Sequence, residues 1–374
     1  MTQHVYVTLK RGINITRFKR ALYIALLVPT FLTNEIHAQS PGRAAITGNV
    51  IDRSTGMPLS LVNVFLANTT KGTTTNKLGA YRIRQIPFGS YELVVSMMGY
   101  EIQTVRMELA KPDTTTMNFR LIPRIIPMEA VVMEAAEEAE WKKNLEIFKE
   151  AFLGKTKNAL KCEILNPEVL DFEIRKSPYL FTATAREPLQ IINWPLGYRI
   201  HAILMSFQLE KDLFRYIFKP QFKEIEAEDE NQRRMWSTNR RKAYNGSLRH
   251  FLATLTTLEL RQEGFSVWKS VVAEGTPYDS YLRRDKLLSL LLPGIYPFER
   301  RLHFDNYLKV IYKNERDELH NKDFQMSVIK LTQDHVTITK SGQAYDKLAI
   351  INYGRWAEER FAEELPLDYV PEKE

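Results

Sequence analysis

Apolar and polar residues alternate at every second position in short runs between about residues 44 and 122. The clearest runs are 46–51 and 61–67, in which successive side chains point to opposite faces of a strand. Turn-forming residues separate the runs at intervals of roughly eight to twelve residues, a spacing typical of β-sandwiches and small barrels. The pattern predicts further strands at 81–83, 91–96 and 102–109.

A helical pattern runs from Glu134 to Gly154. Four large apolar residues recur there at spacings of four, three and four, namely Trp141, Leu145, Phe148 and Phe152. These spacings place them on one face of an α-helix, and glycine commonly ends such a helix. The face either binds a partner or packs on the domain that follows, and packing is the favoured interpretation.

Residues 155–374 are predicted to form one α+β domain dominated by strands. Alternating or apolar runs predict strands at 181–185, 198–209, 213–222, 265–272, 307–313, 324–331, 336–340 and 348–352. A helix is expected over 228–263, with a break at Asn245 and Gly246. Its buried face is predicted to contain Leu248, Phe251, Leu252, Leu255 and Leu258.

Glycine, proline and aromatic residues recur in a specific order through the first strand-rich region. The motif comprises Gly48, Val50, Asp52, Gly56, Pro58, Leu59, Val62, Val64, Leu66, Thr70, Gly72, Thr73, Gly79, Tyr81, Ile86, Pro87, Gly89, Tyr91, Leu93, Ser96, Gly99 and Tyr100. It resembles the carboxypeptidase regulatory-like domain, a transthyretin-like Greek-key sandwich of seven strands found in envelope proteins of Bacteroidota. Asn76 departs from the usual Asp of that family. The resemblance implies the fold and no peptidase activity.

The second half resembles the C-terminal region of other Bacteroidota proteins that carry this module. The segments that carry the likeness are 152–154, 165–167, 195–198 and 246–252. That region has no assigned activity, so the resemblance implies family membership and no mechanism. A TonB-dependent receptor, a large host of the module, is not expected from a chain of 374 residues.

The first 38 residues are predicted to be a secretory signal peptide. A basic region ends at Arg20, an apolar stretch follows at 21–32, and Ala38 supplies the small residue at a cleavage site. An uncleaved membrane anchor is the alternative. This segment holds five of the 52 basic residues and one of the 45 acidic residues, so most of the net charge of +7 is outside the predicted folded part and does not indicate a nucleic-acid partner.

These patterns divide the chain into four parts. Residues 1–38 form the signal peptide, 39–125 the all-β Greek-key sandwich, 126–154 a linker with an amphipathic helix, and 155–374 the strand-rich α+β domain. The fold class is therefore multi-domain. The predicted location is the periplasm or the outer membrane, with no transmembrane helix after removal of the signal.

The sequence assigns no catalytic residue, no metal ligand and no cofactor. None of the histidines has a partner at the three- or four-residue spacing of a helical metal site, and Cys162 is the only cysteine. Ser247 and His250 are close enough on a helix for a weak nucleophile hypothesis, but the surrounding sequence is not a nucleophile elbow. Tryptophans that could bind sugars are expected in the core: Trp194, Trp236, Trp268 and Trp356.

Two functions remain open. The leading hypothesis is a non-enzymatic envelope protein that binds or scaffolds a protein or carbohydrate partner. The alternative is a hydrolase of envelope glycan or peptide with paired carboxylates in the second half. Acids near apolar segments are its candidates: Asp171, Glu173, Asp279, Asp285 and Asp305. The basic clusters are interleaved with acids, which favours a solvated face.

Overall fold

The structure is a computed structural model that describes four stretches of the chain: 43–124, 135–211, 213–273 and 276–372. The predicted signal peptide and its cleavage site lie outside the described residues, as do residues 126–134 of the predicted linker. Within the described stretches, no helix combines the length and the apolar character needed to cross a membrane.

Two four-stranded sheets form the N-terminal sandwich. The strands are β1 (Arg43–Asp52), β2 (Asn63–Leu66), β3 (Gly72–Thr74), β4 (Ala80–Pro87), β5 (Gly89–Ser96), β6 (Gln103–Leu109), β7 (Thr114–Thr116) and β8 (Phe119–Leu121). One sheet has the order β4-β1-β7 with β8 also on β1, and the other has the order β3-β2-β5-β6. The predicted strands are therefore present, and they form paired sheets.

Strands β7 and β8 are two parts of one interrupted strand. Both pair in parallel with β1 in one continuous register, from Ala45 opposite Thr114 to Asp52 opposite Leu121. Between them the carbonyl oxygen of Met117 lies 1.7 Å from the position that a Cβ atom on Gly48 would occupy. Counted this way the sandwich has seven strands, as its resemblance to the transthyretin-like fold implied.

The alternation along β2 separates two packing surfaces. Val64 and Leu66 point into the core between the sheets. Phe65 points to the other side, where it packs with Ala67, Val94 and Ile203. The outer face of this sheet is thus buried against the second half of the chain because its residues are apolar on both sides.

The second half begins with a helix on a six-stranded sheet. The elements are α1 (Ala135–Leu153), β9 (Cys162–Ile164), β10 (Leu170–Lys176), β11 (Tyr179–Ala185), β12 (Leu189–Asn193), β13 (Tyr198–Glu210) and β14 (Leu213–Glu224). Helix α1 packs on this sheet: Phe148 lies 4.7 Å from Phe207 and Phe152 lies 4.3 Å from Phe218, measured between ring centroids. Helix α1 therefore packs on the domain that follows it, which is the interpretation that the sequence favours.

The described residues after β14 form four helices and two further sheets around a second core. Its elements are α2 (Glu230–Tyr244), α3 (Leu248–Thr257), β15 (Phe265–Ala273), β16 (Thr276–Tyr281), α4 (Arg284–Leu288), β17 (Leu291–Pro293), β18 (Glu299–Leu302), β19 (Tyr307–Tyr312), β20 (Gln325–Leu331), β21 (Val336–Thr339), β22 (Ile350–Gly354) and α5 (Arg355–Glu358). The sheets have the orders β16-β15-β19-β20-β22 and β17-β18-β21. The core of this part is distinct from the one under α1.

The helix predicted over 228–263 is divided and shorter. It breaks at Asn245 and Gly246, as predicted, but α3 ends at Thr257. Leu258 has the left-handed backbone conformation, with φ of 58°, and caps the helix. A residue in that conformation cannot continue the helix, so the prediction of Leu258 on the buried face is wrong.

Backbone hydrogen bonds attach the sandwich to the second half. In the loop after β2, the Asn68 amide donates to the Pro220 carbonyl at 2.6 Å, and the Thr69 carbonyl accepts from Phe222 at 2.9 Å. On its other side the Asn68 carbonyl accepts from Leu367 at 2.7 Å. Residues 41–374 accordingly form one compact unit, in which this loop lies between β14 and the C-terminal tail.

Candidate functional site

Ser247 and His250 are structural residues. Ser247 caps α3: its Oγ accepts from the backbone amide of His250 at 3.1 Å and donates to the Tyr244 carbonyl at 2.6 Å. The imidazole Nδ1 of His250 accepts from the amide of Gly246, and its Nε2 lies 3.5 Å from a Glu263 carboxylate oxygen. Ser247 contacts the backbone of His250 and not its ring, so the pair is not a nucleophile and base.

None of the five candidate acids lines the large cavity described below. Asp171 is exposed beside Arg186 at 3.4 Å, and Asp279 pairs with Lys309 at 2.7 Å, which lowers the pKa of its carboxyl. The other three, Glu173, Asp285 and Asp305, are exposed. All five therefore occupy exposed positions outside that cavity.

Metal and thiol chemistry find no site in the described stretches. No group of three or more His, Cys, Asp or Glu side chains is arranged there to hold a metal ion. Burial raises the pKa of the Cys162 thiol to about 12, which keeps it protonated at neutral pH and a poor nucleophile.

Only some of the four tryptophans lie in the core, where the sequence predicts them. Trp236 and Trp356 are buried, and each donates its indole N–H to a backbone carbonyl at 2.7 Å, of Trp194 and Gly246 respectively. Trp268 is half-buried, and Trp194 is 44% exposed. Trp356 reaches one wall of the cavity described next.

A cavity of about 700 Å³ lies where the main parts of the chain meet. Strand β14, helix α3, the junction of β22 with α5, and the tail after α5 form its walls, and Asn68 from the sandwich loop completes them. Apolar side chains make up much of the surface: Leu213, Phe214, Leu248, Leu252, Ile350 and Trp356. Its size is within the range of small-molecule sites, about 300–1,000 Å³.

Arg249 holds the C-terminal tail as one wall of this cavity. Its guanidinium donates to the carbonyls of Ser341, Pro366, Leu367 and Tyr369 at 2.7–3.0 Å. Burial lowers the pKa of Arg249, but several carbonyl acceptors satisfy its donors. The residue is therefore a structural clamp.

Three carboxylates line the cavity, and each has a partner. Glu359 pairs with Arg355 at 3.2 Å. Glu363 accepts from Asn158 at 2.9 Å and from Thr156. Glu364 accepts from the Tyr216 hydroxyl at 2.5 Å and pairs with Lys347 at 3.3 Å. These contacts hold the carboxylates in the walls.

Glu359 has the most strongly altered acidity of these groups. Burial raises the pKa of its carboxyl to about 7, while Arg355 opposes the shift and the neighbouring Glu363 and Asp317 add to it. At neutral pH the protonated and the ionised forms of Glu359 are therefore present in comparable amounts. Sequence reasoning missed this group because its acidity comes from burial, and the dense charges at 355–364 resemble a solvated segment.

The geometry defines a strand-rich protein with a docked N-terminal sandwich and a large cavity. Residues 46–133 match the family model of the CarboxypepD_reg-like domain. The sandwich is thus a CarboxypepD_reg-like domain, as the sequence motif indicated.

Relatives and solved structures resemble only parts of the chain. Over 108 residues it is 33% identical to a TonB-dependent receptor of Formosa agariphila, which covers 29% of this chain and 10% of the receptor. A pilus 2b backbone protein of group B streptococcus is 18% identical over 21% of this chain and 41% of its own, with a TM-score of 0.19. A Bacteroides uniformis protein described as carbohydrate-binding is 9% identical over 80% of this chain and 100% of its own, also at 0.19.

Superpositions with such low TM-scores do not establish a shared fold or function. The family match and the receptor relative fit an exported protein with a binding or scaffolding role. The chain spans a tenth of that receptor's length.

Proposed function

We propose that this chain is an exported, non-enzymatic binding protein of the cell envelope that holds a small organic ligand in the cavity. The observation that carries the proposal is the cavity itself, about 700 Å³ in volume, whose walls combine apolar side chains with polar and charged ones. The proposed location is the periplasm or the periplasmic side of the outer membrane. The proposed partner is an envelope carbohydrate or protein fragment.

The attachment of the sandwich supports this role. Its loop supplies Asn68 to the cavity lining, and the backbone of that residue bonds to Pro220 and Leu367 on either side. A ligand in the cavity would therefore contact the sandwich and the second half at once. We propose that the sandwich closes the site in addition to its structural role.

A cavity-filling variant tests the proposal. Ala357, in α5, lines the cavity, whereas Ala139, in α1, is exposed. Native mass spectrometry of protein isolated from its own envelope should show bound small molecules in the wild type and Ala139→Phe, and lose them in Ala357→Phe. Wild-type protein without adducts, or equal adducts in all three proteins, would contradict the proposal.

A hydrolase is the second candidate, and Glu359 is the observation that favours it. A buried carboxyl with a pKa of about 7 in a cavity is a typical general acid, and Glu363 and Glu364 lie in the same lining. Against it, all three carboxylates are engaged by neighbouring side chains. Turnover of fluorogenic glycosides or peptides that disappears in Glu359→Gln would establish the hydrolase over the binding protein.

A further inference from the structure

We infer that the ligand of the cavity is a neutral saccharide, an inference that rests on the function proposed above. The first observation is the number of side-chain amides in the lining: Asn68, Gln208, Gln343 and Asn352. Each amide offers both donors and an acceptor. A ligand with many hydroxyl groups can satisfy both kinds of atom.

Two of these amides have an oxygen that no donor satisfies. The Oδ1 atoms of Asn68 and Asn352 are buried and accept no hydrogen bond from any residue that the structure describes. A buried polar oxygen without a donor is costly, so an occupant that donates hydrogen bonds to these side chains would be favoured. Hydroxyl groups do this, and the tail of a fatty acid does not.

Arg360 offers hydrogen-bond donors instead of an acceptor. Its guanidinium carbon lies 4.5 Å from the centroid of the Phe214 ring, and its stem packs on the backbone of Gly154. Arg360 lines the cavity and forms no ion pair with a described residue, so an occupant with acceptors could bond to its guanidinium. A hydroxyl oxygen is such an acceptor.

The charges of the lining favour a neutral occupant. Four cations, Arg215, Arg249, Lys347 and Arg360, face three carboxylates, Glu359, Glu363 and Glu364. Lys347 pairs with Glu364 and Arg249 donates to backbone carbonyls, so less free charge remains to attract a polyanion or a polycation. Phe214, Tyr216 and Trp356 add aromatic surface, on which the C–H faces of a sugar ring can pack.

The test compares one site variant with a matched control. Asn352→Leu removes the unpartnered oxygen in the cavity. Gln325→Met removes another buried, unpartnered amide oxygen that does not line it. Asn68→Gly is a second site variant: Asn68 has a φ of 62°, which glycine adopts without strain.

The probes are an array of neutral oligosaccharides, followed by calorimetry with the best binder and with decanoate and tetra-alanine as competing classes. We expect saccharide binding to the wild type, weakened about tenfold or more in Asn352→Leu and Asn68→Gly and unchanged in Gln325→Met. The ligand-free Asn352→Leu protein should melt no earlier than the wild type, because the lost amide oxygen had no partner.

The outcomes separate this inference from the proposed function. Binding of decanoate or tetra-alanine that Ala357→Phe abolishes, without saccharide binding, would overturn the saccharide inference and preserve the cavity as a site. Saccharide binding that Ala357→Phe does not alter would overturn both, since the sugar would then bind elsewhere. Absence of any saccharide binding would also overturn the inference.

Discussion

At the scale of single residues, Gly48 shows a constraint that composition does not reveal. It occupies a strand, where glycine is otherwise unfavourable, because the Met117 carbonyl approaches to 1.7 Å from a would-be Cβ. We expect Gly48→Ala to lower the free energy of unfolding by about 2–4 kcal/mol, since β1 or the β7–β8 strand must shift. In Gly89→Ala the nearest atoms to the new methyl belong to the Tyr91 side chain at 3.2–3.3 Å, and the loss should stay under about 1 kcal/mol. Urea denaturation measures both.

Glu359 makes stability depend on pH. Its folded-state pKa of about 7 is above the ordinary value of 4.5, so between these pH values the folded state holds a proton that the unfolded state has released. Its contribution is therefore fully present below pH 4.5 and is lost as pH rises through 7. Arg355, Glu363 and Asp317 are the charged groups that act on it.

The substitution Glu359→Gln should remove this pH dependence. Between pH 4.5 and 8 the free energy of unfolding of the variant should rise by roughly 2–3 kcal/mol relative to that of the wild type, because the glutamine carries no charge to bury. The buried histidines His201 and His250, whose pKa values burial lowers, titrate in both proteins, so the difference isolates Glu359. A difference in stability that does not vary with pH would show that Glu359 is not titrating there. Thermal melts across this range make the measurement.

At the scale of elements, the outer face of β2 couples the sandwich to β13. Phe65 is fully buried in a cluster with Ala67, Val94 and Ile203. We expect Phe65→Ala to lower the free energy of unfolding by about 3–5 kcal/mol. Its effect should not add to that of Ile203→Ala in the double mutant. Phe65→Ala combined with Val267→Ala, which lies in the core of the β15 sheet, should instead be additive. Additivity in both double mutants would refute the coupling across this interface.

At the scale of the whole molecule, Arg249 joins α3 to the tail that closes the cavity. Arg249→Lys keeps the charge but loses the planar group that reaches four carbonyls. We expect Arg249→Lys to lower the free energy of unfolding by about 2–4 kcal/mol and to speed amide hydrogen exchange at Leu367. Arg301→Lys, at an exposed arginine with one carbonyl contact at 3.3 Å, is the control and should change neither. Slow exchange at Leu367 in both variants would show that the tail is held without Arg249.

The sequence by itself determined the elements whose pattern is local. Two-residue alternation predicted most of the sandwich strands, and the spacing from Trp141 to Phe152 predicted α1, because side-chain direction follows directly from backbone period. Nine shorter strands were not predicted: β3, β7, β8, β9, β10, β12, β16, β17 and β18. Strands of three to seven residues have too few alternations to stand out from loops.

Only the tertiary structure decided the cavity and its chemistry. Asn68, Phe214, Arg249 and Glu359 are far apart along the chain and meet because the sandwich loop, β14, α3 and the tail pack together. The pKa of Glu359 and the missing donors of Asn68 and Asn352 depend on burial by residues from other elements. Desolvation is a property of surroundings and not of residue type, so no pattern along one chain segment records it.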